Sequence, residues 1–263
     1  MNQPIKPGGI LALRAMLKKL LPQSLLMHLQ AFDHYFNGEI EIKLLDQLCD
    51  PTRMAIDAGA NIGTYTYFLR KHAKKITAYE PNPILSARLQ DLYPDILVRP
   101  VALSDTPGKV ILKVPLNSAG NVQHELASIS QAFEGATVDY PVECVTIDSE
   151  NLIDVGFIKI DVEQHEIAVL KGCLNTIKRF RPVIMTEVSP LLYDSELPTE
   201  FQFLTDCEYC GWFRFAGNWL KLANYKTEIH GNKINFGNSA AFIGGNILFF
   251  PHEHKLAQTG PRL

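Results

Sequence analysis

Residues 54–64 read Met-Ala-Ile-Asp-Ala-Gly-Ala-Asn-Ile-Gly-Thr, and the next apolar run closes on Glu80. An apolar strand, a tight small-residue turn and an acid at the tip of the following strand succeed one another at nucleotide-binding spacing. Gly59 and Gly63 let the backbone approach a ligand closely beyond the first strand. Glu80 offers two oxygens to vicinal ribose hydroxyls. The turn itself narrows the nucleoside. A dinucleotide fingerprint starting at Gly59 needs glycine at positions 61 and 64, where pyrophosphate meets bare backbone and the helix packs closely; this chain has Asn61 and Thr64. A Gly-Lys-Ser/Thr phosphate cradle is also missing from the turn. Asp57-x-Gly59-x-x-x-Gly63 with a downstream acid suits adenosine with an amino-acid tail and no phosphate, which describes S-adenosylmethionine. A plain strand-to-helix turn is the other reading of the two glycines.

The organisation around this turn alternates. Helix 39–49, strand 53–57, helix 62–72, strand 75–80, helix 83–92 and strand 95–102 favour a parallel sheet covered on both faces. Strands follow at 108–116, 138–147, 156–161 and 182–188, with a helix at 163–178 and another at 200–210. Trp212 to Phe215 and Asn246 to Phe250 are apolar and aromatic enough to close the sheet as an antiparallel pair. Asn117 to Thr137 lacks periodicity and reads as a mobile loop, a candidate lid over an acceptor. Upstream, Ile10, Leu13, Leu17 and Leu20 share a helical face that Pro22 ends, and a second helix from Ser24 has Leu25, Leu29, Phe32 and Phe36 as its buried stripe. The expected division is a helical extension over 1–38, a catalytic domain over 39–252 and a loose tail over 253–263.

Composition disfavours several classes. At 263 residues and a net charge of −3, the chain fits one α/β domain with additions and has no basic block to attract nucleic acid. No run approaches the roughly 18 apolar residues of a membrane span, and the N-terminus lacks the order of a secretory signal. Its short, weakly basic helices argue against stable membrane anchoring. Five scattered cysteines and the lack of an Asn-x-Ser/Thr acceptor fit the cytoplasm. Oligomeric state has no signature in the sequence.

Strand tips deliver the titratable groups. Asp161 ends one strand, His165 and Glu166 open the next helix, and Glu187 sits at the end of strand 182–188; ligands in open α/β sheets bind beyond such carboxyl ends. An oxygen acceptor of a methyl group must lose its proton as attack proceeds, so Asp161, His165 and Glu187 are the candidate bases. Asp161, Glu163 and His165 also form an oxygen–nitrogen set able to take a divalent ion, and Cys207 and Cys210 with His252 and His254 sketch a zinc set. Neither spacing fixes convergence, and no metal is assigned.

Six segments together resemble the FkbM-type S-adenosylmethionine-dependent methyltransferases. They are Ile56 to Gly63, Tyr79-Glu80-Pro81-Asn82-Pro83, Val101-Ala102-Leu103-Ser104-Asp105, Ile158-Lys159-Ile160-Asp161-Val162-Glu163, Leu170-Lys171-Gly172 and Arg181-Pro182-Val183-Ile184. The resemblance covers roughly residues 39 to 190, and the Asp-Val-Glu segment is its most specific part. It implies a Rossmann-like methyltransferase fold with a mostly parallel seven-stranded sheet and helices on both faces. It also implies that Asp57, Gly59, Asn61 and Gly63 surround the methionine part of the cofactor, that Glu80 holds the ribose, and that Val101 to Ser104, with Ala102, hold the adenine. Asn82 joins this cofactor set, and Asp161 lies near the reacting end. The implied acceptor is a hydroxyl on a sugar, a glycan or a polyketide-like natural product. Gln164 departs from the glycine usual after Asp-Val-Glu, which bears on the shape of the acceptor pocket. The residues alone leave a nucleotide-dependent oxidoreductase and a non-catalytic cofactor-binding protein as alternatives.

Overall fold

The computed structural model of the protein describes residues 21–189, 196–230 and 245–262. Two compact units divide between Ile40 and Glu41. The first contains the helix Gln23–Asn37, introduced by Pro22 at φ −54°. The helix expected from residue 10 falls almost wholly outside the described residues. The stripe expected to be buried is not: Leu25, Leu29, Phe32 and Phe36 are exposed, while Met27 and Ala31 are buried. Apolar residues run almost round this helix, so period alone does not choose its inner face. Phe32 and Phe36 instead pack on each other, ring centres 4.7 Å apart.

The second unit is built on β1 (Met54–Ala58), β2 (Lys75–Tyr79), β3 (Leu97–Arg99), β4 (Ala102–Leu103), β5 (Gly108–Pro115), β6 (Thr137–Val145), β7 (Val155–Ile160), β8 (Val183–Val188), β9 (Tyr209–Phe215), β10 (Asn218–Lys221) and β11 (Gly245–Pro251). Eight strands form one sheet in the order β10-β9-β11-β8-β7-β1-β2-β3, and β4-β6-β5 form a second. Pairings from β3 through β8 in the large sheet are parallel. Those of β11 with β8 and β9, and of β9 with β10, are antiparallel. The sheet has eight strands rather than seven because Ala216 and Gly217, at φ 48° and 81°, make a tight hairpin turn that adds β10 at the edge.

The strand expected over 95–102 is broken. Pro100 cannot donate to a ladder, and the chain passes there from β3 in the large sheet to β4 in the small one. The helix expected over 163–178 is also divided, into Glu166–Lys171 and Leu174–Phe180. The one over 200–210 becomes Leu197–Glu200 and Gln202–Thr205, and Cys210 lies on β9. Residues 252–262 are not loose. Trp212 Nε1 donates to Ala257 O at 3.3 Å, Leu256 and Ala257 are buried, and Gly260 lies on the Trp212 ring. A short polar segment reads as frayed in sequence; the apolar Leu256 and Ala257 dock it in the fold.

β1 and β7 run through the centre, with Ala55, Ile56, Phe157, Ile158 and Ile160 all at most 1% exposed. Covering on both faces is why these strands read as near-continuous apolar runs. Truncating Phe157 here would cost about 3–5 kcal/mol. From β1 the chain winds outward to β2 and β3, then returns to β7 on the other side of β1. The strand order therefore reverses between β1 and β7, and the crevice beyond their carboxyl ends is where ligands bind in such sheets. Among the described residues, no helix is long and apolar enough to cross a membrane.

Candidate active site

β1 leads into the turn at Gly59. The N–H groups of Gly59 and Ala60 both donate to Tyr79 O, at 2.9 and 3.0 Å, which ties the turn to the end of β2. Gly59 and Gly63 have φ of 78° and 92°, a region that favours glycine. A Cβ on Gly59 would stand 1.7 Å from Asp161 O, and one on Gly63 would stand 2.5 Å from Leu89 Cδ2. Both glycines are thus demanded by the protein's own packing, quite apart from any ligand. Asn61 sits between them at φ 53°, a conformation asparagine tolerates.

Glu80 follows β2 and is 5% exposed. Its Oε2 accepts the Asn61 N–H and its Oε1 the Asn82 N–H, each at 2.8 Å. Both oxygens are fixed by backbone and keep lone pairs for a diol. Burial pushes this carboxyl up to about 7 against the pull of those two N–H groups. Asn82 caps the helix Pro83–Leu92 through Ile84 N–H, and its Nδ2 lies 3.1 Å from His124 Nδ1. A cavity open to solvent lies beside Glu80, walled by Asn61, Val101, Ala102, Leu112, Asp161 and Glu163, among others.

The far wall belongs to β7 and to the β5–β6 loop. Asp161 Oδ2 accepts from Lys159 Nζ at 2.9 Å, and Glu187 on β8 is a further neighbour of its carboxyl. Burial would raise the Asp161 carboxyl, but the Lys159 charge and hydrogen bond, with Glu187, hold it below the usual carboxylate range. Glu163 and Gln164 follow at φ 51° and 73°, and Glu166 Oε1 accepts the Val162 and Gln164 N–H groups at 3.3 and 3.1 Å. These two left-handed residues are why the helix starts at Glu166 and not at 163. The loop, expected to be mobile, is fastened over the cavity. Glu125 O accepts from Asn61 Nδ2 at 3.1 Å, and Ser128 Oγ donates to Glu163 O at 2.7 Å. Ser130 Oγ lies 2.5 Å from His165 Nδ1. The loop supplies His124, Glu125, Ser128 and Ile129 to the wall, so it does cover the pocket.

The methyltransferase FkbM domain pattern matches residues 57–211. The chain belongs to that family. Its activity class is methyl transfer, which favours that reading over a nucleotide-dependent oxidoreductase. A Haloferax volcanii protein named hexuronic acid methyltransferase AglP is 29% identical over 177 residues, 60% of this chain and 69% of its own length. The crystal structure of methyltransferase FkbM from Methylobacillus flagellatus is 14% identical with a TM-score of 0.48, over 88% of this chain and 55% of that one. An rRNA methylase of Streptococcus thermophilus aligns at 10% identity and a TM-score of 0.44, over 81% of this chain and 94% of its own. This chain therefore spans little more than half the length of the Methylobacillus protein.

Against this FkbM-family frame, the residues singled out from sequence separate into groups. Gly59, Asn61, Glu80, Ala102 and Asp161 line the cavity. Asp57 is fully buried behind the turn, where Thr66 Oγ1 donates to its Oδ2 at 2.6 Å and Lys159 Nζ stands 4.0 Å from its Oδ1. Gly63 and Asn82 serve the two following helices. Glu187 is exposed on β8, beside Asp161. His165 is held at both nitrogens, by Ser104 Oγ at 2.8 Å from Nε2 and by Ser130 on the other side, and burial lowers its pKa below the ordinary value. Its geometry is that of a fastener between loop and core.

Among the described residues, no group of three or more His, Cys, Asp and Glu is arranged to hold a metal ion. Asp161 is committed to Lys159, and His165 to two serines. Cys210 Sγ turns toward Ala257 O at 3.1 Å. Sequence reasoning missed Lys159, Thr66, His124 and Ser128. A lone lysine inside Val-Gly-Phe-Ile-Lys-Ile was the available signal for the first. The other three had none, because their partners lie on distant segments.

Proposed function

We propose that this FkbM-family protein binds S-adenosylmethionine in the cavity beyond β1 and β7 and O-methylates a hydroxyl of a sugar, glycan or natural product. The observation that carries the cofactor reading is Glu80. A carboxylate with each oxygen pre-set by a backbone N–H, facing a cavity without a phosphate cradle, fits a ribose diol and not a pyrophosphate. Val101, Ala102, Leu103 and Leu112 offer an apolar wall to a purine ring, and the Gly59 to Gly63 turn with Asp57 behind it adjoins the amino-acid tail. When bound there, S-adenosylmethionine supplies a methyl group on a sulfonium, whose carbon–sulfur electron pair stays on sulfur as the acceptor oxygen bonds to carbon. The protein orients the acceptor, excludes water with the β5–β6 loop, and takes the acceptor's proton on the Asp161 carboxylate. His165, enclosed by Ser104 and Ser130, is the second candidate base, and Glu187, exposed on β8, is the third.

The sugar class is carried over from the hexuronic acid named for the Haloferax volcanii relative. Five free cysteines support a reducing compartment, hence the cytoplasm, and the near-neutral charge supports an acceptor other than nucleic acid. The test is incubation with methyl-labelled S-adenosylmethionine and a panel of neutral glycosides, glucuronides and RNA. Label on a glycoside hydroxyl, reduced by about 10² in Asp161→Asn, is expected. Label on the glucuronide carboxylate would replace the hydroxyl reading with ester formation, and label on RNA would overturn the acceptor class. Calorimetry showing no binding of S-adenosylhomocysteine would overturn the cofactor assignment.

A further inference from the structure

All six residues of β7 are buried, and five of them are apolar or glycine; the sixth is Lys159, at 4% exposure. Burying an ammonium costs several kcal/mol unless it is paired, and a buried pair is seldom more stabilising than apolar residues of the same shape. Lys159 therefore needs a reason beyond packing. It is in register with Asp57 across the β1–β7 seam, and alternation along the strand puts it on the same side as Asp161 two residues on. Its Nζ lies 2.9 Å from Asp161 Oδ2, 4.0 Å from Asp57 Oδ1 and 4.6 Å from the Tyr65 ring centre. Asp57 is sealed off, whereas the Asp161 side chain is 28% exposed and reaches the cavity. The ammonium is thus placed directly behind the carboxylate that faces the proposed acceptor.

We propose that Lys159 is a positioning residue for methyl transfer, which holds Asp161 ionised and oriented so that Asp161 can accept the proton leaving the acceptor hydroxyl. The inference rests on the methyl-transfer reading for the use made of that charge. The groups facing Asp161 explain why it needs a cation. Asp57 comes from β1, Glu80 from the end of β2, Glu163 and Glu166 from the turn that follows, and Glu187 from β8. Every one of these is a carboxyl. Among so many carboxyls, the Lys159 ammonium at 2.9 Å is what favours the charged form of Asp161. Acceptance of the acceptor proton at Asp161 then leaves the Lys159 charge in place beside a neutral acid.

The experiment uses the full chain as wild type and as Lys159→Met, with Asp57→Asn/Lys159→Met as the variant that removes both buried charges if the single one fails to fold. Carbon-13 titration of the Asp161 carboxyl, assigned with Asp161→Asn, is the primary measurement. Calorimetry with S-adenosylhomocysteine accompanies it. The expected result is a rise of more than about one pH unit in the Asp161 titration midpoint when Lys159 is lost, with cofactor-product affinity changed by less than about tenfold. With a glycoside acceptor, kcat falls by about 10² at little change in KM, and its acid limb moves by the same interval as the titration. An unmoved Asp161 titration in the folded variant overturns the proposal, as does a larger loss of S-adenosylhomocysteine binding with kcat unchanged at saturation. Failure of the methyl-transfer reading itself appears separately, as wild-type protein that neither binds S-adenosylhomocysteine nor turns over.

Discussion

The two walls of the cavity are made in different ways. The wall at β1 and β2 comes from 29 consecutive residues, 54–82, and its polar contacts run from backbone N–H groups to one carboxylate. The wall at β7 assembles Lys159 and Asp161, the strained turn at Glu163 and Gln164, Ser104 after β4, and a loop running from β5 to β6. The first is a local device that any chain with this spacing can form. The second exists only when three separated segments arrive together. Under the proposed function, cofactor binding rests on short-range geometry and the chemistry at the reacting end on long-range packing.

Gly59→Ala attacks a point where the two walls touch backbone to backbone and should have the largest effect. Its Cβ would overlap Asp161 O at 1.7 Å with φ at 78°, so the seam must open. A loss of about 3 kcal/mol or more in unfolding free energy is expected from strain and overlap combined. Urea denaturation measures it, and a loss under about 1 kcal/mol would show that the β1 turn can shift independently of β7.

Glu80→Ala isolates the local wall. Removing the acceptor of two ribose hydroxyls should weaken S-adenosylhomocysteine by about 2–4 kcal/mol while Asp161 keeps its titration. The pH dependence carries two opposite signs. Burial raises the folded Glu80 pKa to about 7. The unliganded fold therefore binds more protons than the unfolded chain between the ordinary carboxylate value and about 7, and Glu80's contribution to stability declines as pH rises through that window. Ligand affinity moves the other way, falling as pH drops below about 7 because the ionised form accepts the hydroxyls. Calorimetry from pH 5 to 8 should lose this trend in Glu80→Ala; a flat wild-type profile would contradict it.

Ser130→Ala and His165→Ala together test whether His165 fastens or reacts. As a fastener, each substitution frees the loop at a cost of about 1 kcal/mol and speeds hydrogen exchange over residues 123–130 similarly. Methyl transfer then falls to a comparable, modest degree in both. A drop of about 10² confined to His165→Ala would restore the imidazole as base.

Gln164→Gly should be the smallest change and of opposite sign. At φ 73° glycine is the better fit, so unfolding free energy should rise by up to about 1 kcal/mol. A simultaneous loss of acceptor affinity without loss of cofactor affinity would assign the Gln164 side chain to the acceptor side.

Legibility followed the same division. Asp57, Gly59, Gly63 and Glu80 could be read because period, small residues and strand tips are local signals, and the structure brings Gly59 and Glu80 to one cavity. The break at Pro100 was equally local and was overlooked. Leu25, Leu29, Phe32 and Phe36 misled because a helix apolar on most sides has no face fixed by period. His165 stood out because imidazole at a strand end suggests catalysis, but Ser104 and Ser130, 61 and 35 residues away, occupy both its nitrogens.

The sequence by itself determined the parallel α/β sheet, the glycine turn and the acid that follows it, since each depends on backbone conformation and on residues close along the chain. The tertiary structure alone decided that Lys159 backs Asp161, that Ser104 and Ser130 enclose His165, and that the loop after β5 lies fastened over the cavity. Those depend on side chains meeting across strands, where a few ångströms of register decide whether a charge is paired, and no one-dimensional spacing records that distance.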